Sequence, residues 1–233
     1  MAVGYNPSIV SDGLVFFLDP ANIRSYSGSG ITVNGLIGGI GATLVNGTGF
    51  SSANNGSFFF DGTNDYILSN AITQNNNASA LTWTVWAKRN TSNSIVSFIQ
   101  YSGPGSDIGL ELWSNGAIYF EIGNPSNTYG ELSNNSSSWQ NVAMVFDGSG
   151  VDNSSRLKAF INCIQQNLSY VGTIPTVAGS GNTLYIGNTG PFAGSNSNLF
   201  SSGNLGSFQS YNKALTQQEI LQNFNATRFR YGI

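Results

Sequence analysis

Short runs of β-branched and aromatic residues recur along this chain, and turn residues separate them. The runs cover 14–18, 57–60, 66–68, 81–87, 95–101, 108–113, 117–122, 141–146, 157–164, 183–186 and 205–211. Val, Ile, Phe, Tyr and Trp suit a pleated, half-buried surface. Parallel strands need crossover helices between them, and no such helical segments intervene. The pattern therefore predicts an all-β, antiparallel sandwich or barrel in one domain spanning 1–233.

Composition removes several functions. Charged residues make up only 8% of the chain, about a third of the usual ~25%. Eight Lys and Arg against eleven Asp and Glu leave a net charge of −3, with no basic stripe to neutralise phosphates. Nucleic acid is therefore not an expected partner. No apolar run is long enough to cross a bilayer, so no membrane partner is expected either. Histidine is absent, which removes the usual triad base and zinc imidazole. The single cysteine, Cys163, lies within the apolar run 157–164 and reads as a buried small hydrophobe. The lack of disulfides and of a basic leader at Met1 predicts a product made in the cytoplasm without a signal peptide.

Two local motifs are sharp. Asn115-Gly116, flanked by alternating residues, predicts a type I′ hairpin. That register sets Trp113 opposite Ile118, Glu111 opposite Phe120 and Glu121 opposite Leu110, placing Glu111 and Glu121 on opposite faces. Near the C-terminus Thr216 and Glu219 form a capping box, and Leu215 and Ile220 a hydrophobic staple. The helix they start carries Ile220, Leu221 and Phe224 as a stripe expected to pack on the sandwich rim.

The segments 13–22, 58–67, 82–88, 139–147, 184–187 and 206–220, in this order and spacing, resemble the laminin-G-like branch of the concanavalin A-like lectin/glucanase superfamily. The resemblance covers nearly the whole chain and implies a jelly-roll sandwich of two curved antiparallel sheets. The opening Met1-Ala2-Val3-Gly4-Tyr5-Asn6-Pro7 and the segment 224–233 are similar to versions found in tailed-bacteriophage virion proteins. That implies a non-enzymatic binding or structural module on a virion surface: capsid decoration, fibre or tail appendage. Its partners would be other virion proteins, including further copies of itself. The alternatives are a lectin for host-surface glycans and, third, a glycoside hydrolase.

Site residues follow from chemistry. The superfamily's retaining glucanases carry Glu-x-Asp-x-Glu on one strand; here Asp107-Ile108-Gly109-Leu110-Glu111 lacks the middle acid. With Glu121 expected on the other face, the strand acids read as solvent-facing and no catalytic residue is assigned. No cofactor or metal is assigned; the resemblance implies Ca²⁺ as the candidate, since laminin-G-like domains often hold it in rim loops. Asp61, Asn64 and Asp65 are the candidate ligands, and the competing reading is that they shape their own turn. Tyr129 and Phe192 sit in polar loops as ligand or partner anchors. In the tail 228–233, Phe229, Tyr231 and Ile233 alternate with Arg228 and Arg230, predicting docking onto this domain or onto a neighbouring subunit. The strands and helix lie upstream, so removing the tail is expected to leave the sandwich folded.

Overall fold

The computed structural model describes residues 8–92, 94–102, 106–123, 128–190 and 199–233. Among these residues the strands form two antiparallel sheets packed face to face. In spatial order the eight-stranded sheet contains Ile164–Gln166, Leu157–Ile161, Gln140–Asp147, Ala80–Arg89, Ser202–Tyr211, Ser57–Asp61 and Gly49–Ser51. Its remaining strand, Leu14–Leu18, also pairs with Ser202–Tyr211. The nine-stranded sheet runs Ser169–Val171, Tyr129–Ser133, Ala117–Glu121, Ile108–Leu112, Val96–Tyr101, Thr183–Ile186, Tyr66–Asn70, Gly41–Val45 and Thr32–Asn34. The arrangement is the antiparallel sandwich that the strand pattern predicts, in the jelly-roll form that the resemblance implies.

Alternation along each strand places Trp83, Val85, Phe98, Leu110, Phe120, Met144 and Phe208 between the sheets as one contiguous core. Trp83 and Phe98 both pack on the Phe208 ring, with centroids 5.2 and 5.6 Å away. Burying such aromatic side chains supplies most of the driving force in a chain this poor in charge.

Several local expectations need correcting. The run 157–164 is a hairpin, not one strand: Asn162 and Cys163 both adopt positive φ, at 49° and 64°, so Ile161 pairs with Ile164. Cys163 is thus a half-buried turn residue. The short strands Thr32–Asn34, Gly41–Val45, Gly49–Ser51, Tyr129–Ser133 and Ser169–Val171 lie outside the runs read from sequence. Several of them are edge or near-edge strands, where hydrophobic alternation is weakest.

The helix Gln217–Thr227 starts as its capping box predicts. Thr216 Oγ1 accepts from the Glu219 amide, and the Glu219 carboxylate accepts from the Thr216 amide at 2.8 Å. It covers the outer face of the eight-stranded sheet instead of the rim, with Leu215 and Ile220 on Val145, Phe160 and Tyr211. Leu221 is 43% exposed and leaves the stripe; Phe224 joins Trp86 and Tyr231 in a second cluster.

The tail docks onto its own domain. Residues Arg228–Tyr231 form a 3-10 turn that lays the Tyr231 ring on Trp86, centroids 4.1 Å apart and planes 17° apart, with Trp139 at 4.7 Å. Gly206, at a bulge between Leu205 and Ser207, leaves the space this ring fills; a Cβ there would overlap it. Arg230 closes the contact with Nη1 at 3.0 Å from both Asp19 carboxylate oxygens. Tyr231, 6% exposed, is therefore a core residue and not a partner contact, whereas Phe229 and Ile233 point outward. Helix and tail together cap one face of the sandwich, and the candidate site lies on the opposite one.

Candidate functional site

On the nine-stranded sheet, residues alternate between the core and an outer face. Ile108, Leu110, Leu112, Ile118 and Phe120 enter the core. The outward residues form two rows across the strands. The first row is Leu68, Tyr185, Ile99, Gly109, Glu121, Tyr129 and Val171, each directly opposite the next. The second is Ser97, Glu111, Tyr119, Glu131 and Ser169.

This register overturns the expected one. Asn115 does not take positive φ; only Gly116 does, at +78°. The connection is the three-residue Ser114-Asn115-Gly116 loop, in which the Trp113 amide donates to the Ala117 carbonyl at 2.8 Å. Three-residue loops need a left-handed residue only at their last position, and Gly116 supplies it. The extra loop residue moves the pairing by one, so Glu111 faces Tyr119 and Glu121 faces Gly109. A one-residue shift turns every side chain of one strand over. Glu111 and Glu121 consequently share a face with Asp107, and the strand acids are not solvent-facing.

The three carboxyl groups interact. Glu111 is 3% exposed, and burial together with the Asp107 charge pushes it up to about 8. Glu121 retains some residue surface, but its Oε2 is inaccessible. Burial holds Glu121 well above the usual carboxylate range; the Glu111 and Asp107 charges and a hydrogen bond with Asp107 add to this. Gly109 makes the approach possible: a Cβ there would sit 3.0 Å from Glu121 Oε2. The carboxyl of Glu121 thus occupies the place of the missing middle acid, arriving from the neighbouring strand.

Aromatic rings flank the acids on both sides. Trp113, Tyr119 and Tyr129 meet edge to face, with centroids 6.2 and 5.3 Å apart. Beyond Ile99, Tyr66 lies 6.3 Å from both Tyr185 and Phe200. Asn115 Nδ2 donates to the Tyr119 hydroxyl at 2.9 Å and helps to line a hollow with Glu131, Ser133 and Ser169. From Tyr185 to Tyr129 is four strand spacings, about 19 Å. Half-buried rings beside polar groups with free hydrogen-bonding capacity provide stacking surface and directional contacts for a polar ligand with apolar faces, such as a saccharide.

The other sequence candidates fall elsewhere. Asp61 Oδ1 accepts from the Thr63 amide at 2.7 Å, and Asp65 Oδ2 accepts from the Asp61 amide at 3.3 Å. The Asn64 carbonyl accepts from Asn46 Nδ2 at 3.1 Å. These hydrogen bonds hold the turn together. Among the described residues no three acidic, His or Cys side chains converge on a metal-holding geometry. Tyr129 belongs to the outer-face site, in a strand and not a loop. Phe192 lies outside the described residues. Sequence reading missed Tyr119, Tyr185 and the shared face of Glu121 and Glu111; the available signal was Ser114-Asn115-Gly116 read as a three-residue loop.

A family model described as concanavalin A-like lectin/glucanases superfamily, of laminin-G type, matches residues 61–221. The chain belongs to that superfamily. Among curated proteins none matches it. Solved structures share its fold at low identity. The botulinum neurotoxin serotype D binding domain superposes with a TM-score of 0.65 at 14% identity, covering 91% of this chain and 50% of that one. The binding domain of botulinum neurotoxin DC in complex with rat synaptotagmin II gives 0.65 at 12%, covering 92% and 52%. A Trypanosoma rangeli sialidase in complex with sialic acid gives 0.64 at 14%, covering 96% and 34%. The chain thus spans about half the length of the neurotoxin domains and a third of the sialidase. At such identity the superpositions establish a lectin-like fold.

Proposed function

We propose that this protein is a non-enzymatic glycan-binding module whose site is the outer face of the nine-stranded sheet. The observation that carries the reading is the ring ladder Trp113–Tyr119–Tyr129, with the polar hollow beside it. Edge-to-face packing fixes the rings at little further entropic cost on binding. The opposite face of the sandwich is closed by helix and tail. Membership of the concanavalin A-like lectin/glucanases superfamily, and superposition on a sialidase solved in complex with sialic acid, support the ligand class.

Glycoside cleavage needs one carboxylic acid and one ionised carboxylate flanking an accessible bond. Here neither Glu111 nor Glu121 offers an accessible carboxyl for such a bond: Glu111 is almost wholly enclosed, and Glu121 Oε2 is inaccessible. Display on a virus particle, with host glycans or virion proteins as partners, remains part of the proposal and draws on the similarity of the terminal segments. The test is a glycan array with the intact chain and with Tyr119→Ala and Tyr129→Ala. Binding lost in both variants supports the reading, and binding unaffected by either overturns it. Release of reducing ends from bound glycans would overturn the non-enzymatic part, and failure of an antibody to this chain to label purified virions would overturn the particle assignment.

A further inference from the structure

We propose that the hollow beside Tyr119 seats one neutral sugar unit, two adjacent hydroxyls of which donate to the Glu131 carboxylate, so that the site rejects acidic glycans, sialylated ones included. The inference rests on the glycan-binding reading above and names the ligand's charge.

Three observations lead there. First, the outer face holds space for a ligand. The hollow measures about 260 Å³ and is lined by Asn115, Ala117, Glu131, Ser133 and Ser169. Drug-sized ligands occupy pockets of about 300–1,000 Å³, so this one suits a single sugar unit. The register explains it: Ala117 lies opposite Ser133, and Glu131 opposite both Tyr119 and Ser169. Small side chains thus leave a depression between the Tyr119 ring and the edge strand Ser169–Val171. Second, the polar groups around it are open. Asn115, Ser133 and Ser169 are exposed and Glu131 is half-buried. Asn115 is fixed as a wall, its Oδ1 accepting from the Ala117 amide at 2.9 Å and its Nδ2 donating to the Tyr119 hydroxyl. Among the described residues no hydrogen bond engages the Glu131 carboxylate. A carboxylate only accepts, and two adjacent sugar hydroxyls present two donors, which makes a charge-assisted pair of hydrogen bonds. Third, no strand of this sheet carries any of the eight Lys and Arg, whereas Glu111, Glu121 and Glu131 all lie in its strands.

The cations of the protein are engaged elsewhere. Arg89 reaches the Trp113 and Asn134 carbonyls next to the hairpin, but its side chain is enclosed and its guanidinium also donates to the Ser136 carbonyl. Arg156 donates to the Gly150 and Ile174 carbonyls. Lys158 lines a separate hollow beside Leu215, on the opposite face of the sandwich. Lys88 belongs to the eight-stranded sheet, and Lys213, Arg228 and Arg230 to the helix and tail that cover it. Arg24 adjoins the far edge strand Thr32–Asn34, seven strand spacings from Glu131, about 33 Å. An acidic sugar in the hollow would therefore set its carboxylate against that of Glu131 with no counter-charge, and juxtaposed like charges suppress the wrong partner. Glu131 thereby determines specificity by accepting hydroxyls and repelling anions.

The experiment is an array of matched glycans, each neutral and capped with sialic or glucuronic acid, probed with the full chain. Titration calorimetry then compares the best-bound neutral glycan with its acidic counterparts. The expected result is at least about tenfold weaker binding of the acidic members. The gap should narrow between about 0.01 M and about 1 M salt, as the charges are screened. Glu131→Gln should weaken the neutral glycan several-fold and bring neutral and acidic members close to equal affinity, and Glu131→Lys should reverse the preference. Ala117→Leu, which fills the hollow, should weaken neutral binding at least about tenfold in a protein with a native circular-dichroism spectrum. Acidic members bound as tightly as neutral ones by the parent chain, or a gap untouched by both Glu131 variants, would overturn the charge assignment and leave the glycan-binding reading standing. Neutral binding unaffected by Ala117→Leu would overturn the placement in the hollow. Binding of no glycan on the array would instead overturn the reading on which the inference rests.

Discussion

Replacing Tyr231 by alanine tests whether the C-terminal tail is a structural part of the sandwich. The ring is 6% exposed, stacked on Trp86 at 4.1 Å and tilted against Trp139 at 4.7 Å. Truncating a buried aromatic costs about 3–5 kcal/mol, because transfer and cavity contributions add. Of this, about 0.5–1.5 kcal/mol belongs to the ring pairing itself. Deleting 228–233 removes more. Arg230 holds both Asp19 oxygens at 3.0 Å, and its loss leaves a mostly buried carboxylate without its cation, at a cost of about 1–3 kcal/mol. The deletion therefore costs roughly 4–8 kcal/mol against a typical total of about 5–15 kcal/mol. The truncated domain should be marginal or unfolded, contrary to the expectation from sequence alone. Urea denaturation followed by circular dichroism measures this, with Phe229→Ala as the control. Phe229 is 65% exposed, so its truncation should stay within about 0.5 kcal/mol of the parent. A Tyr231→Ala midpoint equal to that of Phe229→Ala would refute the docking argument.

Three further outcomes are expected. Glu111 is raised from 4.5 to about 8 in the folded protein, so its neutral form stabilises fully below 4.5 and that contribution is lost as pH rises through 8. Denaturation midpoints at about pH 5 and about pH 9 should show the parent losing roughly 2–5 kcal/mol across this window and Glu111→Gln losing markedly less; equal losses would show that the carboxyl is not held neutral. Thr216→Ala should destabilise by about 0.5–2 kcal/mol and Ile220→Ala by about 2–5 kcal/mol, while Leu221→Ala changes the melting temperature little; a Leu221 effect as large as that of Ile220 would mean the helix is rotated from the described orientation. Gly116→Ala places a Cβ where Asn135 lies and in a left-handed turn position, so it should lower stability by at least about 1 kcal/mol and weaken glycan binding by loosening the Tyr119 strand; unchanged binding would separate the hairpin from the site.

What the sequence determined by itself is what short-range chemistry determines. Runs such as 14–18 and 183–186 emerge as strands with the expected bounds, because β-branched and aromatic alternation is read locally. The Thr216–Glu219 box is equally local: both partners lie within one helical turn. The shared face of Glu111 and Glu121 was decided by whether the loop between their strands holds two residues or three, a choice set by the φ of Asn115 within the assembled sheet. The cluster with Asp107, the space over Gly109 and the opposing Ser97 exist only across strands. The docking of Tyr231 on Trp86 joins residues 145 positions apart, and it depends on the space at Gly206 and on Arg230 reaching Asp19. Packing at that range depends on complementary shape between distant segments, and no periodicity within either segment encodes it.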